Sequence, residues 1–366
     1  MRAPKKERGL SQRKLATQAG IDFTYLSKIV YLSKIELAHQ SAGKELARMR
    51  PELTLTGVIP ANLLPFDSRL ELDEDDYRRH VRYLVDTEGV SGITTNAHAS
   101  EVATLTPEER QRSLNITLDE VAGKVPVVCG VYEDGSAKAA EAAKTAEREG
   151  ADCLLVFPSL IFEYGSQMRP EMAYAHYAAI AEATSLPLIA FVYPATSGLR
   201  IETDNLVRIC DEIDNVVAIK EWSNDIVAYE RNYRALKALD KDISVLSSFS
   251  KALLASLCVG ADGILSGHGS LIADLHVEIF DAVKRGDLAE ARRVSDRIYP
   301  LAQVFYAEPF LDGHNRMKEA LAVLGRIGEA HVRPPLQRIS DAEREKIRRV
   351  VTEAGLPGAR AATIRS

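Results

Sequence analysis

The chain has 366 residues, 46% hydrophobic and 27% charged, with a formal net charge of -6, enough apolar material for one large core or two ordinary ones. No stretch approaches the roughly 18 uninterrupted apolar residues of a membrane span, and the basic amino terminus is not followed by a signal-peptide core, so a cytoplasmic globular protein is expected. Residues 1 to 50 hold 11 Lys/Arg against 4 Asp/Glu, a balance of +7, which leaves -13 on the remainder. An acidic body argues against nucleic acid as a partner over the whole surface and restricts that possibility to the extension. Cys129, Cys153, Cys210 and Cys258 form no CxxC pair, so they are expected in the core rather than in a zinc site or a disulfide framework.

Within the extension, GLSQRKLATQAGIDFTYLSKI, Gly9 to Ile29, resembles the second and third helices of a phage-repressor-type helix-turn-helix. Ser11 is placed to cap a helix, Ala19-Gly20-Ile21 to make the turn and Thr24 to Ile29 to start the recognition helix. The segment YLSKI then repeats at Tyr25 to Ile29 and Tyr31 to Ile35, and no further helices follow to complete a core. Residues 1–50 are therefore expected to be a basic, poorly ordered arm carrying a partial helix-turn-helix-like motif.

From Leu55 onward, apolar β-rich runs alternate with helical patterns. The runs are Thr56 to Ala61, Ser91 to Asn96, Pro126 to Val131, Cys153 to Pro158, Pro187 to Pro194, Val216 to Trp222, Ile243 to Phe249 and Asp262 to Gly267. Between them, Tyr77, Val81, Leu84 and Val85 mark one helical face, Thr106-Pro107-Glu108-Glu109 reads as a capping box, and Ala137 to Arg148 is alanine-rich. Eight such units predict a closed (β/α)8 barrel over 51–270, an α/β fold, since no GxGxxG opens the first helix as in a doubly wound sheet. Apolar positions around Leu275 to Val283, Ala289 to Ala302 and Met317 to Leu324 predict carboxy-terminal helices over 271–356, with 357–366 as a tail.

In such a barrel the active site forms at the carboxyl ends of the strands. Lys220 ends the sixth run and Tyr193 the fifth, which brings an amine and a phenol to one face. An apolar barrel mouth disfavours the ammonium form, and a free amine attacks a keto group to give a Schiff base, with the phenol moving protons. The plain alternative is a structural ion pair of Lys220 with Glu221 or Asp225.

FVYP with Tyr193, AIKEWSND with Lys220, GADGILSG, GVIPANLLPFD and SEVATLTPEER together resemble the dihydrodipicolinate synthase / N-acetylneuraminate lyase family of class I aldolases, from about Leu55 to Leu356. The resemblance implies an imine between Lys220 and pyruvate or another 2-keto acid, with Tyr193 as proton shuttle. It also implies no metal or organic cofactor, and a homo-oligomer, tetramer or dimer.

The family's second strand usually ends in G-T-T-G-E; here the stretch is Ala97-His98-Ala99-Ser100-Glu101. His98 is therefore proposed to replace the relay threonine, and the backbone of Ala99 and Ser100 to cradle the keto-acid carboxylate. Asn96 is expected to meet a substrate hydroxyl, and Leu265 of GADGILSG joins the substrate-binding set. His268 and Trp222 are weaker pocket candidates. Dihydrodipicolinate synthase itself typically carries two tyrosines after the fourth strand's proline and an arginine five residues beyond the fifth-strand tyrosine. Those positions are Ser159, Leu160 and Gly198, which argues against that enzyme's own reaction. The expectation is a Schiff-base lyase acting on a C–C bond. Its rivals are a Schiff-base dehydratase or deaminase of a 2-keto-3-deoxy sugar acid or similar compound, a DNA-binding regulator with a ligand-sensing barrel, and a barrel that binds a keto acid without turnover.

Overall fold

In the computed structural model, the residues described are Leu53, 55–356 and Gly358; the helix-turn-helix-like stretch lies outside them. From Leu55 the chain forms one compact unit that holds both the strands and the carboxy-terminal helices.

Eight short strands form the predicted barrel: β1 (Gly57–Pro60), β2 (Ile93–Thr95), β3 (Val127–Val131), β4 (Cys153–Val156), β5 (Leu188–Val192), β6 (Val216–Glu221), β7 (Ser244–Ser247) and β8 (Gly263–Ser266). All are parallel, in the order β1-β8-β7-β6-β5-β4-β3-β2. Parallel bridges Val58 to Val90 and Ala61 to Thr94 bring the two ends together. Each strand falls inside one of the eight apolar runs, because a strand covered on both faces needs an unbroken apolar, β-branched stretch.

The outer ring consists of α1 (Glu74–Asp86), α2 (Pro107–Val121), α3 (Ser136–Glu149), α4 (Pro170–Ala181), α5 (Thr203–Glu212), α6 (Ile226–Lys237), α7 (Leu253–Val259) and α8 (Gly269–Lys284). Local chemistry sets their ends. Asp73 accepts from the Asp76 N–H to start α1. Thr106 and Glu109 close the predicted capping box of α2, with Pro107 at its first turn. On α1, Tyr77, Val81 and Leu84 are buried as predicted, whereas Val85 is half-buried and His80 takes an inner place, its Nε2 lying 2.7 Å from Ser270 Oγ. Cys129, Cys153 and Cys210 are buried; Cys258 is exposed, contrary to expectation, because it sits on the outer side of the short helix α7.

Three further helices, α9 (Leu288–Phe305), α10 (Gly313–Val323) and α11 (Asp341–Glu353), complete the chain. A buried polar cluster fixes α10 against the barrel. Lys318 pairs with Glu101, both side chains almost fully buried, and also donates to the His331 carbonyl at 3.0 Å. The second Glu101 oxygen accepts the Arg333 N–H at 3.1 Å, and the Phe66 ring lies 4.2 Å from Lys318 Nζ. Such a pair tolerates burial only because its remaining hydrogen-bonding capacity is filled. Lys318→Met is therefore expected to cost about 3–5 kcal/mol by stranding the Glu101 carboxylate, measured by urea denaturation, and the added change Glu101→Gln should recover part of that loss.

Candidate active site

Strand register delivers the site. Phe191 of β5, Lys220 of β6 and Leu246 of β7 are level with one another, and the period-2 alternation of strands then places Tyr193, Trp222 and Ser248 one layer higher on the inner face. The cavity at the carboxyl ends of the strands is lined by Lys220 together with Ala61, His98, Ala99, Phe191 and Trp222 on the barrel side. Ser248, Gly267, Tyr306, Phe310 and His314 complete the wall.

Lys220 is buried, 4% exposed, and desolvation pushes its pKa down to about 7. Its Nζ lies 4.0 Å from the centre of the Phe191 ring. Glu221 points out of the barrel, where Ser223 donates to it from its backbone N–H and its hydroxyl and Asn232 from its amide. Asp225 instead caps α6 by accepting from Val227 and Ala228 N–H at 2.9 and 2.8 Å. Neither carboxylate pairs with Lys220, which has no ion pair among the described residues. The amine is thus deprotonated to a large extent at neutral pH for a simple reason: burial without a counter-charge.

Tyr193 Oη and His98 Nε2 are 2.8 Å apart, their rings edge-on at 82°. Burial raises the tyrosine pKa well above its ordinary value. Burial, and then the positive potential of Lys220, lowers that of His98. Both are therefore neutral near pH 7, and the hydrogen bond joins two groups that each can donate and accept.

The other sequence candidates divide. Ala99 lines the cavity. Ser100 is buried behind it: its N–H donates to the Ala97 carbonyl at 3.0 Å and its hydroxyl to the Asn62 carbonyl at 3.0 Å, so it supports the turn rather than facing the cavity. Asn96, held at a φ of 53°, turns outward, donating to the Arg110 carbonyl at 2.9 Å and accepting from Ser113 at 2.7 Å. Leu265 is fully buried, level with Ile59 and one layer below the cavity. His268 is also fully buried, packed on His276, Phe305 and Tyr306. Trp222 is part of the cavity wall. Outside the barrel, an apolar cleft of about 610 Å³ lies between α2 and α3; its one thiol, Cys129, is pushed up to about 11 by burial and offers no nucleophile.

The family model for the dihydrodipicolinate synthetase family matches residues 54–354. The chain belongs to this family. The 4-hydroxy-tetrahydrodipicolinate synthase of Methanopyrus kandleri is 30% identical over 303 residues, covering 82% of this chain and 97% of that protein. The synthase of the same name from Syntrophus aciditrophicus is 32% identical over 302 residues, covering 82% and 99%. Among solved structures, a monomeric dihydrodipicolinate synthase variant superposes with a TM-score of 0.77 at 30% identity, covering 82% of this chain and 97% of that one. Dihydrodipicolinate synthase from Thermotoga maritima gives 0.74 at 30% identity, covering 82% and 98%. The chain is thus a lyase-type enzyme of the family, as the motif set implied.

As a member of the dihydrodipicolinate synthetase family it departs at the rim. At Gly198 a Cβ would stand 2.4 Å from the Glu163 carbonyl oxygen, and the Gly198 carbonyl accepts from Gln167, so no larger residue fits there without moving backbone. Arg200 is held by Glu202 at 2.8 Å. Sequence reasoning missed Tyr306, Phe310 and His314, which come from beyond α9. Phe191 was within reach of period-2 counting back from Tyr193, and Ser248 from the end of the seventh run; nothing local marks the other three.

Proposed function

We propose that Lys220 forms an imine with pyruvate or another 2-keto acid, and that the enzyme makes or cleaves the adjacent C–C bond. The observation that carries this reading is a buried amine at the barrel mouth with no carboxylate beside it. The free amine adds to the keto carbon, and the carbinolamine loses its hydroxyl as water, a step for which Tyr193 supplies the proton. The resulting iminium acidifies the neighbouring C–H. Loss of that proton gives an enamine, which adds to a carbonyl carbon; in reverse, the iminium accepts the electrons of the breaking bond. His98 serves as the partner through which Tyr193 is reprotonated, and the turn at Ala99, supported by Ser100, borders the keto-acid carboxylate.

A cytoplasmic location and a homo-oligomer belong to the same proposal. Assembly is supported by the apolar surface after β4, where Leu160, Ile161, Tyr164, Met168 and Met172 are exposed, Tyr164 by 92% and Met168 by 87%.

Because the attacking species is the free amine, the initial rate of adduct formation should climb with pH up to about 7 and level off above it, roughly tenfold per unit on the acid side. Reductive trapping with cyanoborohydride and pyruvate from pH 5 to 10 checks this. A rate that keeps rising to pH 10 would mean that an ordinary, solvated lysine is reacting.

A further inference from the structure

The carboxylate of a 2-keto acid needs hydrogen-bond donors once it leaves water, and the turn that borders it has lost the usual ones. The family's threonine pair falls on His98 and Ala99. His98 commits its Nε2 to Tyr193, and Ala99 has no polar side chain. Ser100 sends its hydroxyl away from the cavity, to the carbonyl and amide oxygens of Asn62 at 3.0 and 3.1 Å. No arginine lines the cavity.

His314, in the first turn of α10, fills that gap. It is half-buried and lines the cavity, and its ring makes no hydrogen bond among the described residues. A Cβ built on Gly267 would stand 3.0 Å from His314 Nε2 and 3.3 Å from the Ala99 Cβ, so the tip of the imidazole shares one corner of the cavity with the Ala99 turn. The cavity itself is small, about 30 Å³, and a keto acid that reaches Lys220 touches this corner. The other polar side chains of the wall are spent or elsewhere. The Tyr306 hydroxyl accepts from Ser250 at 3.1 Å, while Ser248 and Trp222 follow β7 and β6, across the barrel from the end of β2.

The helix that carries His314 is fastened to the same turn. Lys318, four residues on and therefore on the same helical face, pairs with Glu101 at the end of the turn. The fully buried Arg316 ties the start of α10 to the preceding segment, donating to the Ala307 and Pro309 carbonyls at 2.6 and 3.2 Å. Burial, and then the charges of Lys220 and Lys318, hold His314 neutral, at about 3. A neutral imidazole still carries one N–H to donate.

We infer, resting on the Schiff-base reading, that His314 hydrogen-bonds the carboxylate of the bound 2-keto acid and takes the place of the family's threonine hydroxyls. The iminium carbon is bonded directly to the carboxylate carbon, so the Lys220 nitrogen supplies the counter-charge while His314 supplies the donor. Held between the Ala99 turn and α10, the carboxylate fixes the keto carbon in front of the amine.

The test compares cyanoborohydride trapping on Lys220 by pyruvate and by acetone, a ketone without a carboxylate. His314→Leu should slow trapping at low pyruvate about tenfold to a hundredfold, the range for a lost hydrogen bond to a charged group, and leave the acetone rate unchanged. His314→Gln, which keeps an N–H donor at similar reach, should restore most of the pyruvate rate. Equal losses with both ketones would make His314 a packing residue, and no loss with either, no recovery in His314→Gln, or a selective loss in Ser248→Ala instead would each overturn the assignment. If the unaltered protein traps neither ketone, the Schiff-base reading fails. His314 is then read by titrating pyruvate against the fluorescence of Trp222, the only tryptophan: binding that weakens tenfold or more in His314→Leu supports the carboxylate contact, and unchanged or absent binding overturns it.

Discussion

Replacing Lys220 by methionine is expected to abolish turnover and, at the same time, to make the protein more stable at neutral pH. The loss of activity follows because no other amine lines the cavity and methionine cannot add to a carbonyl. The gain in stability follows from linkage. In the fold Lys220 releases its proton near pH 7, whereas an ordinary lysine holds it to about 10.5, so between those values the unfolded chain binds more protons than the native one. Stability therefore rises with pH across that window. The penalty for burying the amine is fully present below about pH 7 and fades toward 10.5, and at pH 7 it is on the order of 4 kcal/mol. Methionine has a similar length, fills the same volume beside Phe191 and carries no charge. Denaturation midpoints of the two proteins should thus differ most at pH 6–7 and converge toward pH 10. Equal midpoints at every pH would show that the amine is solvated, and a less stable variant would show that it has an ionic partner.

Tyr193→Phe is expected to lower kcat by about 10²–10⁴-fold, the range associated with losing a positioned proton donor, with little change in fold because the ring and its contacts with Phe191 and Trp222 are kept. The proton must come from a neutral phenol, since burial keeps Tyr193 protonated far into the alkaline range. Its only hydrogen-bond partner among the described residues is His98, so His98→Ala should show a smaller loss in the same step. Combining the two changes should cost little more than Tyr193→Phe alone, because a relay partner has nothing to serve once the phenol is gone. Steady-state kcat and single-turnover imine formation check both. Full turnover in His98→Ala would reduce the histidine to part of the wall.

Much of this is legible in the amino-acid sequence. The eight strands appear as eight apolar runs because a doubly covered parallel strand has no polar face to show, and Lys220 stands out because an ammonium at the end of such a run conflicts with its surroundings. Alternation alone brings Lys220, Trp222, Phe191 and Tyr193 to one face. What could not be counted out is side-chain direction in the turns. Asn96 sits one residue past β2, where a left-handed backbone conformation sends its amide to Arg110 and Ser113 instead of the cavity. Ser100 belongs to a single 3-10 turn that uses its N–H internally, and Leu265 falls a layer too deep. Tyr306, Phe310 and His314 escape for another reason. Their position depends on the long-range pairing of Lys318 with Glu101 and on Arg316 gathering the carbonyls of Phe305, Ala307, Glu308 and Pro309, and neither leaves a periodic trace. Glu101, which the motif comparison left as a lone surviving family residue, is explained by that anchoring.

The central claim is the imine, and the most direct measurement is to incubate the protein with pyruvate, reduce with borohydride, digest and weigh the peptides. The account predicts a mass increase confined to the peptide carrying Lys220 and absent from Lys220→Ala. No adduct with pyruvate or with any longer 2-keto acid, or an adduct spread over exposed lysines, would contradict it.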